Sequence, residues 1–197
     1  MKQIKETELL IQEQNLVEKR VVFNSGKYQI QKGNDFEVVI CDEVGVKRLK
    51  KIETYVLQPH KYSNPCTVYF IKNSSQSGTW GGHVRWILQE DDVESSIIIN
   101  IRMDFFFSII RGDRFVVLFD SDKSIYNKRY ILDKLRNKVG TFVKNYVLQF
   151  IHDNSVAELL KSRRELSLDL ERKINEQVLY EYGVVFENLN LIMEKAN

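Results

Sequence analysis

Proline, cysteine and glycine are all scarce in this chain, with two, two and nine residues among 197. Both prolines, Pro59 and Pro65, fall in one short stretch, so no proline-rich linker divides the chain, and no low-complexity segment does. Cys41 and Cys66 allow at most one bridge and have no CxxC spacing. Both lie in or beside apolar runs, which favours two buried free thiols over a disulfide framework or a zinc site. His60, His83 and His152 are scattered, none with a cysteine at ligand spacing. No apolar run is long enough to span a bilayer. No long apolar signal core follows the N-terminus, so a cytoplasmic location is expected. An excess of one charge is missing too. Twenty-nine basic against 27 acidic residues leave +2, too little to argue for nucleic acid or another polyanion. Finally there is no G-x-S-x-G, no HExxH and no phosphate-cradling glycine loop. No catalytic, cofactor-binding or metal-binding residue is therefore assigned. A hydrolase or nuclease site would have to be assembled from dispersed acids and bases such as Glu37, Asp42 and Lys47, and a chain with 28% charged residues offers many such sets.

What is present is strand pattern, strongest over Ser96–Asp113. Its odd positions Ile97, Ile99, Ile101, Met103, Phe105, Phe107 and Ile109 are all apolar, while the even ones include Asn100, Arg102, Asp104 and Ser108. Strict alternation predicts a strand with one buried face. A membrane span would put Arg102 and Asp104 at mid-bilayer, at about 2.5–3.5 kcal/mol each, so the strand is preferred. Its length predicts a bend, a bulge or sharing between two sheets.

Residues 1–20 carry Leu9, Leu10, Ile11, Leu16 and Val17 among charged residues and predict an amphipathic helical segment. Leu9, Leu10 and Ile11 are the candidate membrane or partner contact. Short alternating runs follow at Val21–Phe23, Lys27–Gln31, Phe36–Cys41, Val44–Leu49, Ile52–Gln58, Thr67–Lys72 and Thr79–Leu88, separated by Asn, Gly, Ser and Asp turns. Lys47, Arg48, Lys50 and Lys51 make a short basic patch. Gly81-Gly82 beside Trp80 predicts backbone passing close under an aromatic ring, or a bulge. Asp91-Asp92 reads as a solvated hairpin tip. From about residue 121 the period changes. Tyr130–Ile151 repeats Ile131, Leu135, Val139, Phe142, Tyr146 and Phe150 on one helical face, with Gly140 marking a close contact. Ser155 and Glu158 form a capping box for a short helix. Ser162–Tyr182 is a further helix with the stripe Leu166, Leu170, Ile174 and Val178, a candidate self-association face or a cover for the chain's own sheet. Gly183 suits a left-handed helix stop, and Val184–Ile192 alternates as a last strand. The expected class is α+β: a curved, mainly antiparallel sheet in the first 120 residues, then two or three amphipathic helices and a final strand. In domain terms this is an N-terminal segment 1–20 and one domain 21–197, with a strand-rich half 21–120, a helical half 121–182 and the strand 184–192.

Phe23 to Met193 resembles the stomatin/prohibitin/flotillin superfamily, also called SPFH or band 7. The resemblance rests on four pieces in order: the loop passage Tyr55–Pro65; Val68–Asn73 followed by Thr79–Gly82; the long strand leading into Ile109–Val116; and the two helices leading into Glu181–Lys195 (EYGVVFENLNLIMEK), the most specific of them. The nearest likeness is to the bacterial cytosolic branch that lacks a transmembrane segment. Membrane hairpin, long coiled coil and zinc-ribbon cysteines of various relatives have no counterpart here. The resemblance implies a non-catalytic scaffold without cofactor. Such a protein self-associates and organises partner proteins, peripherally on the inner face of the cell membrane, with another protein or a lipid surface as partner and no nucleic acid.

Overall fold

A computed structural model of the chain describes residues 2–5, 15–22, 28–31, 33, 35–49, 54–57, 65–90, 93–119 and 123–196. The chain divides into two compact units: residues 1–75, 108–132 and 181–184 form unit 1, and residues 76–107, 133–180 and 185–197 form unit 2. The class is α+β, with mostly antiparallel strands, helices concentrated in the second half and a final strand. Where one sheet was expected, the described strands form three.

The first part of unit 1 carries the short strands β1 Lys2–Ile4, β2 Asn15–Val22, β3 Tyr28–Gln31, β4 Phe36–Asp42, β5 Gly45–Leu49, β6 Thr54–Leu57 and β7 Cys66–Lys72. β1, β3 and β6 form one sheet, in which β1 runs parallel to β3. The other four join β10, Ile125–Asn127, in the order β10-β2-β7-β4-β5. β4 lies inside this sheet, between β7 and β5, and is buried on both faces. Phe36, Val38 and Ile40 share a core with Val68 and Phe70 of β7 and with Ile4, Ile30 and Leu57 of the smaller sheet. Glu37 and Val39 point the other way, where α1, Gly112–Phe119, packs on β4. A strand buried on both faces must be apolar almost throughout, and each such Val or Ile contributes about 1.5–3 kcal/mol. Neither cysteine is in a disulfide; Cys66 is buried, as expected, but Cys41 is only partly so, and burial pushes the Cys66 thiol upward from its ordinary value.

The described residues depart from expectation in some details. The N-terminal helix is absent from the described part of residues 1–20, which holds β1 and most of β2. Leu16 and Val17 are buried there, in a strand held between β7 and β10. Local helical spacing is a weak preference that sheet pairing overrides. Helix α1 falls inside the half expected to be strands, and β10 inside the half expected to be helical. The long strand itself, β9 (Val93–Ile109), pairs with β8 (Gln76–Glu90) in one unbroken antiparallel register from Gln76↔Phe107 to Glu90↔Val93, with no bulge in that pairing.

Unit 2 places β9 between β11 (Val184–Lys195) and β8. The inward face carries the alternating apolar set read from the sequence, and the outward face carries Asn100, Arg102 and Asp104. Three helices complete the unit: α2 Lys128–Asp153, α3 Val156–Lys161 and α4 Arg163–Ile174, the last continued by a π-turn, Asn175–Leu179, and the short α5, Tyr180–Tyr182. Ser155 caps α3, its hydroxyl accepting from Glu158 N at 3.1 Å. Both glycine expectations hold. A side chain at Gly82 would lie 2.7 Å from the Trp80 ring, and one at Gly140 of α2 would lie 3.1 Å from the same indole. The two glycines let the indole lie between β8 and α2, leaving Trp80 8% exposed.

Candidate functional site

Unit 2 has a cleft of about 420 Å³ between α2, α3 and α4. Its floor is Tyr146, Phe150 and Leu166. Its rim carries Asp153, Glu158, Glu165 and Asp169, with Lys173 as the lining cation. The half-buried Tyr146 and Phe150 belong to the stripe expected on the buried face of α2. They sit one row aside, because Val143, Val147 and Ile151 take the buried positions.

Asp169 is the electrostatic centre of this cleft. It accepts from Tyr146 Oη at 2.9 Å and Arg172 at 2.7 Å, and Lys173 Nζ lies 2.8 Å away while also sitting over the Tyr146 ring at 5.1 Å. The lysine contact first, then the arginine and tyrosine donors, hold its carboxyl down at about 2. Burial, reinforced by the Asp169 charge, pushes the Tyr146 hydroxyl up. Both shifts lead away from neutrality, where a general acid or base works best. Because Asp169 is stabilised in its charged form, its contribution to stability is present above the ordinary carboxylate pKa and lost as pH falls from about 4 toward 2. In urea titrations, Asp169→Asn is expected to have a lower midpoint than the wild type at neutral pH, and the gap should close over that interval. A gap independent of pH would show that the carboxylate is not what matters.

A second use of polar side chains closes the outer edge of β11. Asn175 and Phe186 exchange two hydrogen bonds at 2.8 Å, side-chain amide to backbone, as two paired strand residues would. Glu171 accepts from Leu189 N at 2.7 Å. Ser167 Oγ accepts from Leu191 N at 3.0 Å while donating to Arg163 O. Positions 167, 171 and 175 are four apart, so one ridge of α4 and its π-turn replaces a fourth strand. This ridge was not read from the sequence. Its signal was a polar residue recurring every fourth position beside the apolar stripe.

Of the residues picked out beforehand, Leu9, Leu10 and Ile11 lie outside the described residues. Leu166, Leu170 and Ile174 are buried within the chain, and Val178 is half-buried. The π-turn moves the next inward position to Leu179. Glu37, Asp42 and Lys47 are not brought together into a pocket. Glu37 is buried and paired with Arg48, and Asp42 accepts from Val44 N and Gly45 N at the β4–β5 turn. Five residues along one strand separate these two acids by roughly 16 Å and place them on opposite faces. Lys47 is exposed on β5. Among the described residues no group of three or more His, Cys, Asp or Glu side chains could hold a metal ion, and no helix is long and apolar enough to cross a membrane.

At the β4–β5 turn, Val44 is 89% exposed and Val46 41% exposed, with Lys47 next in sequence. A β-branched residue at the tip of a tight turn is a poor local choice. No family model matches the chain, and no curated protein is significantly similar to it.

Proposed function

We propose that the chain is a non-catalytic, self-associating scaffold domain of the SPFH kind that rests peripherally on the cytoplasmic face of a membrane and organises partner proteins there. The observation that carries the membrane part is the β4–β5 tip, with exposed Val44 and Val46 followed by Lys47. Apolar side chains projecting from a turn can enter the headgroup region, and a neighbouring lysine adds about 1 kcal/mol of attraction to anionic lipid. Of the basic patch read from the sequence, Arg48 is paired with Glu37, and Lys50 and Lys51 lie outside the described residues.

Flotation with vesicles containing phosphatidylserine tests this reading. The wild-type chain is expected to float, and Val44→Asp/Val46→Asp to lose binding roughly tenfold or more, since partial burial of two valines is worth upwards of 1.4 kcal/mol. High salt should weaken the remaining attraction. A wild-type chain that stays with the soluble fraction at every lipid composition would overturn the membrane part.

A further inference from the structure

The sheets end in edges of very different length. β1, β6, β10 and β5 are edge strands of three, four, three and five residues. Short edges of this kind are how proteins ordinarily limit unwanted strand pairing. The two long edges both belong to the sheet of unit 2. β11, with 12 residues, is closed by Ser167, Glu171 and Asn175. β8 has 15 residues, and among the described residues nothing closes its Ser77–Leu88 stretch in this way. Among the described residues, Ser77–Leu88 makes no backbone hydrogen bond beyond its ladder to β9.

The usual protections are also missing from β8. It contains no proline and no lysine, its register with β9 has no bulge, and Ser77–Leu88 has one formal charge, Arg85. We propose that this edge is a self-association surface, where a second copy pairs its own β8 antiparallel across a twofold axis. The inference rests on the self-associating reading above and names its surface, which the buried Leu166 stripe cannot supply.

Three observations select a second copy as the occupant. An antiparallel edge presents donors and acceptors that are complementary to themselves under a twofold rotation. A strand with a single formal charge, Arg85, meets its own copy with little like-charge repulsion, whereas a strongly charged partner strand would find almost no counter-charge there. And because β11 is closed, each unit 2 sheet can grow on one side only. Pairing two β8 edges therefore uses up both and ends at a dimer, which is how a long unprotected edge avoids open-ended growth.

Sedimentation velocity over a wide concentration range tests this on the full chain. The wild type is expected to show a monomer–dimer equilibrium. His83→Lys/Ile87→Lys, both at exposed positions of β8, is expected to weaken dimerisation roughly tenfold or more by setting lysines against each other across the axis. Phe106→Lys, an exposed position on the central strand β9, adds charge away from the edge and should leave the dimer intact. Amide exchange adds a direct readout: alternate amides of Ser77–Leu88 should gain protection as concentration rises. A wild type that stays monomeric throughout, or an edge variant that associates like the wild type, would overturn the proposal. Parallel flotation separates the two readings. Vesicle binding without dimerisation overturns the edge alone. Loss of both in the wild type overturns the scaffold reading as well.

Discussion

Gly183→Ala is expected to destabilise the chain by about 3–5 kcal/mol and lower its Tm by about 10 °C. Gly183 has φ +67°, a left-handed conformation that costs an L-residue roughly 1–2 kcal/mol. A methyl group there would also overlap the carbonyl oxygen of Arg111. That segment cannot simply withdraw. Ile110 N and Arg111 N both donate to Gly183 O, at 2.8 and 3.0 Å, and each bond is worth about 0.5–1.5 kcal/mol. Thermal and urea unfolding of Gly183→Ala measure the sum. Gly183→Asn separates the parts, because asparagine tolerates positive φ but keeps the Cβ. It should recover only the conformational part, about 1 kcal/mol. An asparagine variant as stable as the wild type would mean the close approach to Arg111 carries no energy.

The sequence foretold Gly183 as a helix stop, because a glycine after a long apolar period has a local cause. Its contact with Arg111, 72 positions earlier, has no local signature. The same division runs through the fold. Strands β3 to β9 and helices α2 to α4 fall where alternation and four-residue spacing put them, since the side chains that create the pattern are the ones that become buried. Departures occur where the backbone changes step. At Asn188, φ 53° inserts an extra residue, so Glu187 and Asn188 are both exposed and the buried set runs Val184, Phe186, Leu189, Leu191, Met193. Strict alternation had grouped Leu189 and Leu191 with Val185 instead. The π-turn does the same to a helix, passing burial from Ile174 to Leu179 instead of Val178. In α2 the buried residues keep a step of four from Ile131 to Ile151. Each such step overshoots a full turn by about 40°, so the buried line winds round the helix and leaves Phe142, Tyr146 and Phe150 beside it. The candidate surfaces were the least legible. Among the described residues, the β8 edge and the Val44 tip are defined by what does not pair with them, and no periodicity records that.

The second large effect is expected at Arg48. Glu37 is 4% exposed on the face of β4 that α1 covers, and Arg48 reaches it from β5 with both Nε and a terminal nitrogen, the latter at 2.9 Å. The same guanidinium donates to Ile110 O at 2.8 Å and lies 3.4 Å from Asp113, at the start of α1. Gly112 is what permits this, since a Cβ there would lie 2.8 Å from a Glu37 oxygen and 2.5 Å from Ile71. Arg48→Met removes the counter-charge and leaves Glu37 buried beside α1, at an expected cost of about 3–5 kcal/mol. Adding Glu37→Leu removes the stranded charge too, and the double variant should return to within about 1–2 kcal/mol of the wild type. Such recovery would assign the pair to holding β4, β5 and α1 in one arrangement rather than to net stability. Asp113 supplies an independent pH check. Its hydrogen bonds from Arg111, aided by the charge of Arg48, hold its carboxyl below the usual range. Its contribution is therefore present above the ordinary carboxylate pKa and lost as pH falls through the folded value. Arg48→Met should shrink that acid-side loss only in part, because Arg111 remains. If the double variant is instead as unstable as the two single losses added together, Glu37 and Arg48 act independently and the account of a coupled, buried pair fails.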